Sequence, residues 1–600
     1  MAAGFETRSE ETPALPQRAA SHGDSYKWIA LSNTTLGMLM ATINSSIILI
    51  SLPAIFNGIG INPLASGETN YFLWLLLGYM VVTATLLVTF GRISDMFGRV
   101  KLYNLGFAIF TVGSILLFLT PGRGNAGALE LIFFRIIQGV GAGFLFANGA
   151  AILTDAFPAR QRGMAMGINQ MAAIVGSLAG LILGGVLSVV NWRMIFLVSV
   201  PFGIFGTIWA YLKLRESVRP RAHKTIDWPG NITFAVGLTT LLLGITYGIE
   251  PYGDSPMGWG NPFVIAAILG GVALLAVFIW IELHMPDPMF QLHLFKIRMF
   301  SIGNLAGFLA SLSQGGLQFM LVIWLQGIWL PVHGYSFEET PLWAGIYMMP
   351  LMAGFIIAGP ASGWLSDRFG SRGFAVAGMT MMALGFLGLT LLPAQFNYAF
   401  FAPLLVLLGA GQGMFAAPNT TAIMNSVPGE HRGVASGMRA TFQNAASLLS
   451  IGVFFSIVTV GLASGMPRAL SSGLTQAGLP FSIADKISHL PPTAALFAAF
   501  LGYNPMGTLL PQDVLHRLPL TSQQSLLSQQ FFPNLISSPF MSGLHGVFYI
   551  AAGLCLIAAV ASYFRGRLYI HDAIADGAIA DGAIAAGETV ESSAILEPAD

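Results

Sequence analysis

Charge is what this sequence has least of. Asp, Glu, Lys and Arg make up 9% of its 600 residues, against about one quarter in an ordinary soluble domain. The 27 basic and 27 acidic residues cancel, so no net field favours a nucleic acid or an acidic partner. Cysteine occurs once, at Cys555, which rules out an intramolecular disulfide. No Walker-type nucleotide loop is present, which disfavours ATP-driven work. Acids are also missing from the middle of every long apolar run: the nearest, Glu130, Asp155, Glu250 and Glu282, stand at run ends. That removes the usual proton relay and the usual attraction for a cationic ligand. His284 and His293 flank Asp287, yet Lys296 and Arg298 follow closely, and a solvated linker is the better reading than a metal site. No metal or other cofactor is expected, and no enzymatic nucleophile–base set stands out.

What is present is apolar. Hydrophobic residues make up 54% of the chain and mean hydropathy is +0.71. Seventy glycines suit helices that pack closely in lipid. The composition describes an all-α integral membrane protein, because lipid leaves the backbone no partner but its own helix. Runs of about 20 apolar residues predict spans near 28–56, 71–91, 102–121, 129–153, 164–189, 194–213, 231–250, 262–283, 301–330, 342–365, 374–393, 399–424, 434–463 and 544–565. With the N-terminus inside, 20 of the 27 Lys and Arg residues fall in the tail and inner loops, which places both termini in the cytoplasm.

The chain also repeats itself. Gly91, Asp95, Gly98 and Arg99 sit in a short charged link between two spans, with Lys101 following. A second copy carries Gly363, Asp367, Arg368 and Gly370, shifted by 272 positions. Arg162-Gly163 recurs as Arg432-Gly433, and Gly139, Gly141 and Gly143 as Gly409, Gly411 and Gly413, each shifted by 270. Spans 1–6 therefore match spans 9–14, with an extra hairpin over 231–283 between them. The expected organisation is a cytoplasmic tail (1–27), a six-helix half (28–213), a linker with two extra spans (214–300), a second half (301–565) and an acidic, disordered tail (566–600). Within the second half, 464–543 reads as a long outer loop. Its apolar patch 494–501 is too short to cross lipid, so an interfacial or capping helix is expected.

Several polar residues inside the spans need a reason. Arg135 lies in the fourth span, where an unpaired cation costs about 3 kcal/mol. Glu130 is badly placed on the helix to pair with it. The repeat has Leu405 at the matching position, so the scaffold does not require this charge. Gly176, Gly180 and Gly184 line one face of the fifth span, with Gly185 beside them, and form a groove for a neighbouring helix. Asn44, Gln138, Gln314, Gln318, Trp324 and Gln326 are the candidates for a cavity of amides and aromatic rings suited to a large, mostly apolar substrate. An Asp at a helix end, as at Asp95 and Asp367, can cap a neighbouring helix or pair with a basic residue.

Taken together, the charged loops, the Leu-x-x-x-Arg-x-x-Gln-Gly-x-Gly run at Leu131–Gly141 and the glycines of the fifth span resemble the major facilitator superfamily. Fourteen spans resemble its drug:proton antiporter branch. The resemblance covers about 28–565 and departs from the branch pattern at Asn44, where an Asp is common, and at Leu181, where a Pro is usual. It implies the major facilitator fold and a secondary exporter of amphipathic small molecules, drugs or natural products, with protons and the lipid bilayer as partners. It implies a conformational gate at Gly91, Asp95, Gly98, Arg99, Gly363, Asp367 and Arg368, and proton coupling through Arg135 together with Asp155. A monomer in a bacterial cell membrane is expected. Uniport, symport or uptake by the same fold, or a membrane-bound ligand sensor, are the alternatives.

Overall fold

The computed structural model describes residues 25–565 apart from 62–68, 159–160, 217–226, 249–251, 254, 256, 287, 289, 338, 501–503 and 511. Most of the N-terminal tail and all of the acidic C-terminal tail therefore lie outside the described residues, as does Asp287.

Among the described residues, fourteen helices are long and apolar enough to cross a membrane. They are α1 (Tyr26–Ile59), α2 (Thr69–Phe97), α3 (Arg99–Leu119), α4 (Gly124–Ala156), α5 (Arg162–Val190), α6 (Met194–Lys213), α7 (Trp228–Gly248), α8 (Pro262–His284), α9 (Arg298–Val332), α10 (Thr340–Phe369), α11 (Ser371–Leu389), α12 (Tyr398–Asn425), α13 (Arg432–Gln476) and α14 (Phe531–Tyr563). The protein is a multi-pass, all-α membrane protein. Two links show why the repeated motif needs its last glycine. Gly98 joins α2 to α3 at φ +110°, and Gly370 joins α10 to α11 at φ +84°. A side chain at either position would be strained, because the left-handed side of φ is closed to most residues.

Helices α1–α6 pack among themselves, as do α9–α14. The two sets meet where α2 and α4 lie on α13, and where α5 lies on α10 and α12. The hairpin α7–α8 packs against α2 and α13, and much of α8 faces outward with Leu269, Trp280 and Leu283 exposed. Such a face suits lipid.

Span ends differ from the hydropathy reading. Helix α13 runs on to Gln476 and α14 begins at Phe531, so the predicted loop 464–543 is largely helical. Leu462, Met466, Leu470 and Leu474 continue one buried stripe along α13, while Ser464, Arg468 and Ser472 lower its hydropathy. The helix persists because protein, not lipid, covers that stripe. The apolar patch forms the helix Pro492–Phe500, which sits on a π-helical turn of α9, Ile323–Trp329. It is a cap on the second half.

Candidate functional site

The repeated motif closes one end of the bundle, the end where α1 starts. At the end of α2, Asp95 accepts the backbone N–H of Val434, 3.0 Å away in the first turn of α13. At the end of α10, Asp367 accepts the N–H groups of Gly163 (3.0 Å) and Met164 (3.2 Å) in the first turn of α5. Each carboxylate thus neutralises the positive end of a helix from the opposite half. The first glycines make this approach possible. A Cβ on Gly91 would stand 2.6 Å from the Gly433 carbonyl oxygen, and one on Gly363 would run into that of Gly163. These are backbone-to-backbone contacts, so no side chain can move aside.

The two copies are not equivalent. Asp95 also pairs with Arg99 (2.8 Å), whose guanidinium reaches Asp155 (2.5 Å) and the Gly429 carbonyl (3.0 Å). Arg432 approaches Asp155 from the other half at 3.5 Å. In the second copy Ser371 replaces Arg99 and Asn425 replaces Asp155. Arg162 donates there to Asn425 Oδ1 at 2.8 Å and to the carbonyls of Thr154 and Phe157. Arg368 does not join this closure: it is exposed and stacks on Trp364, 4.3 Å from the ring centre. Sequence reasoning used Arg162 and Arg432 only to align the repeats, though that alignment was the signal for their shared role. It missed Glu216, which accepts the N–H of Arg99 (2.7 Å) and of Val100 (3.1 Å) and so caps α3. Burial pushes the Glu216 carboxyl above its ordinary range, and these backbone bonds pull it part of the way back.

Asp155 and Arg135, paired in expectation, are separated in the structure. They stand 20 residues apart on α4, about 30 Å by helical rise. Arg135 is deeper than its predicted boundary implied, because α4 starts at Gly124, about 16 Å away by the same rise. It is fully buried, with NH1 donating to Asn44 Oδ1 and to Gln138 Oε1 (2.6 Å) and the guanidinium 4.4 Å from the Tyr79 ring centre. Gln138 donates in turn to Ser114 (2.8 Å). Neutral acceptors and a π face thus replace the missing acid. Glu130 is used elsewhere, accepting the Gly122 N–H at 3.0 Å. Asn44 and Gln138 therefore hold Arg135 in place.

Between the halves lies a chamber of about 400 Å³ walled by Gln170, Gln314, Gln318, Gln412, Gln443 and Arg439, with Met38, Met352, Phe355 and Phe415. A second chamber of about 280 Å³ reaches Arg135 and Tyr79, and the two share Met80, Phe146, Gln318 and Asn444. No Asp or Glu is among the residues lining either one. Of the residues proposed for a cavity, Gln314 and Gln318 line the chamber. Asn44 and Gln138 line neither chamber, and nor do Trp324 and Gln326. The last two sit on the π-helical turn beneath the cap: Trp324 packs on Phe396 (4.7 Å between centres) and Gln326 donates to the Phe500 carbonyl (3.2 Å). The groove glycines divide too. Gly176, Gly180 and Gly184 fit against the α1 backbone, while Gly185 faces Leu342 of α10. Among the described residues no group of three or more His, Cys, Asp or Glu is placed to hold a metal.

The family model described as Major Facilitator Superfamily matches residues 34–245 and 228–451. The riboflavin transporter RibZ of Clostridioides difficile is 30% identical over 73% of this chain and 89% of its own. The multidrug transporter protein MdtP of Bacillus subtilis is 26% identical over 90% of this chain and 93% of its own. The tetracenomycin C resistance and export protein of Streptomyces glaucescens is also 26% identical, over 92% and 94%. Among solved structures, the proton:xylose symporter XylE superposes with a TM-score of 0.51 at 16% identity, over 80% of this chain and 96% of that one. A bacterial homologue of the human lysosomal transporter Spinster gives 0.51 at 15%, over 91% and 98%. The chain belongs to the major facilitator superfamily and is a secondary transporter.

Proposed function

We propose that the protein exports amphipathic small molecules across a cell membrane by alternating access, in exchange for protons. The observation that carries this reading is the doubled closure: Asp95 caps α13 and Asp367 caps α5, each across the halves and at one end of the shared chamber. A device that caps each half from the other through three short bonds can part without unfolding either. The excess of Lys and Arg in the loops at that end supports a cytoplasmic location for it. Export is supported by the relatives whose names record multidrug transport and tetracenomycin C export. The chamber's amides, methionines and aromatic rings suit ligands that are bulky and mostly apolar.

Coupling has two parts in this reading. Arg135 is a fixed charge at the second chamber, and Asp155 is the carboxylate that binds the proton. A proton on Asp155 removes the charge that holds both Arg99 and Arg432, and so loosens the closure from the cytoplasmic end. The test uses everted vesicles and a fluorescent amphiphile. Accumulation should follow an imposed pH gradient and collapse when the gradient is dissipated. Asp155→Asn should still exchange substrate across the membrane but ignore the gradient. Wild-type accumulation indifferent to the gradient would overturn proton coupling, and a gradient-sensitive Asp155→Asn would move the proton site elsewhere.

A further inference from the structure

The charge at the chamber wall does not come from the gate or from Arg135. Arg439 lies seven residues into α13, about 11 Å from its first turn. Its side chain is buried, with 8% of its surface accessible, and it faces the central chamber. One guanidinium nitrogen donates to Gln443 Oε1 at 2.6 Å, while the buried Nε has no acceptor among the described residues. The matching position in the first half is Asn169, so the repeated scaffold does not require a cation here. Arg135 has a buried Nε without an acceptor too, and differs in being engaged by Asn44, Gln138 and the Tyr79 ring.

A buried guanidinium beside a neutral amide is an incomplete site. Burying a cation without an acid is costly, and the cost falls when an anion arrives. A guanidinium is shaped to donate to two oxygens of one oxyanion, so the face it turns to the chamber suits such a group. Gln443 holds the group from the side but brings no formal charge to balance it. The rest of the wall is neutral, so a cationic ligand would meet only repulsion. We infer that the central chamber binds amphiphiles carrying one anionic group, a carboxylate or sulfonate, which docks on Arg439 while the apolar body lies among Met352, Phe355 and Phe415. The inference rests on reading this chamber as the transport site, but it is tested by binding alone, so failure of export would not be confused with failure of the anion site.

The probes are 6-methoxy-2-naphthylacetic acid, its carboxamide and the corresponding primary amine, titrated by ligand fluorescence onto the full chain in zwitterionic nanodiscs. The acid should bind about 10-fold tighter than the amide, the gain from one charge-assisted pair, and the amine weakest. Arg439→Gln should abolish the acid's advantage while leaving the amide within about 2-fold, and Arg439→Lys should keep part of it. Gln443→Glu, which places an internal carboxylate beside the same guanidinium, should also abolish the preference without removing the cation. The sulfonate analogue should follow the acid in every variant. Equal affinities for acid and amide, tighter binding of the amine, no saturable binding of the acid, or an unchanged preference in both Arg439→Gln and Gln443→Glu would each overturn the proposal.

Discussion

Arg135 draws its partners from three helices, none supplying a formal negative charge. Asn44 comes from α1, Gln138 from α4 itself, and the Tyr79 ring from α2. Losing the Asn44 acceptor should leave a buried donor unmet, at a cost of about 1–3 kcal/mol. Asn44→Leu is therefore expected to lower the thermal unfolding midpoint in detergent by several degrees. Asn44→Asp, which restores an acceptor and adds charge, should hold or raise it. Equal midpoints for the two variants would mean that Asn44 does not support Arg135. Arg135 was conspicuous in the sequence, because a cation inside an apolar run needs a reason. Its partners were not, since the search for an acid on the same helix led to Glu130 and ignored an amide 91 positions upstream. Arg439 is likewise a cation inside an apolar run, at 434–463, but its place at the chamber wall beside Gln443 has no signature in one dimension. Trp324 and Gln326 show the opposite error, a polar and aromatic pair that reads as cavity lining but is sealed under a cap.

Glycine does two different jobs in helix pairs that look alike in the sequence. Gly180 packs α5 on α1 inside one half, where a Cβ would strike the Ile43 carbonyl. Gly91 packs α2 on α13 across the halves. The first contact lies within one half, and the second joins the halves at the proposed gate. Gly180→Val should destabilise the protein by about 1–3 kcal/mol through overpacking, and hydrogen exchange should rise along both α1 and α5. Gly91→Val should leave those helices protected and speed exchange locally over 432–438, where Val434 N–H loses its bond to Asp95. If both substitutions loosened the same segments, the division between folding and gating glycines would fail. The helices themselves were legible, because lipid permits little else over an apolar run. Their ends were legible only where membrane and helix end together. At α13 and α14 the helix outlasts the apolar run, since Leu470, Leu474 and Phe532 are buried in protein and polarity no longer marks a boundary.

At the scale of the whole molecule, a duplicated sequence has given two closures of unequal strength. Both Asp95 and Asp367 cap a helix of the opposite half, but only Asp95 also holds Arg99, and through it Asp155 and Arg432. The second copy relies on an amide, Asn425, where the first has a carboxylate. Loss of a charged hydrogen bond shifts a two-state equilibrium by about 1.5–3 kcal/mol, or about 10- to 100-fold. Asp367→Asn keeps one acceptor for Gly163 or Met164 and should slow transport about 10-fold. Asp95→Asn strips the Arg99 pair as well as weakening the cap, and should slow it about 100-fold or more. Neither residue lines the central chamber, so both variants should bind the naphthyl probes as the unmodified protein does. The double variant should be little worse than Asp95→Asn alone, because a closure already opened at one side has less to lose at the other. Equal defects in the two single variants would show that the network around Asp155 adds nothing to the closure. Loss of binding in a well-folded Asp95→Asn would place that residue in the substrate path, and the gate would then have to be sought in other contacts between α2 and α13.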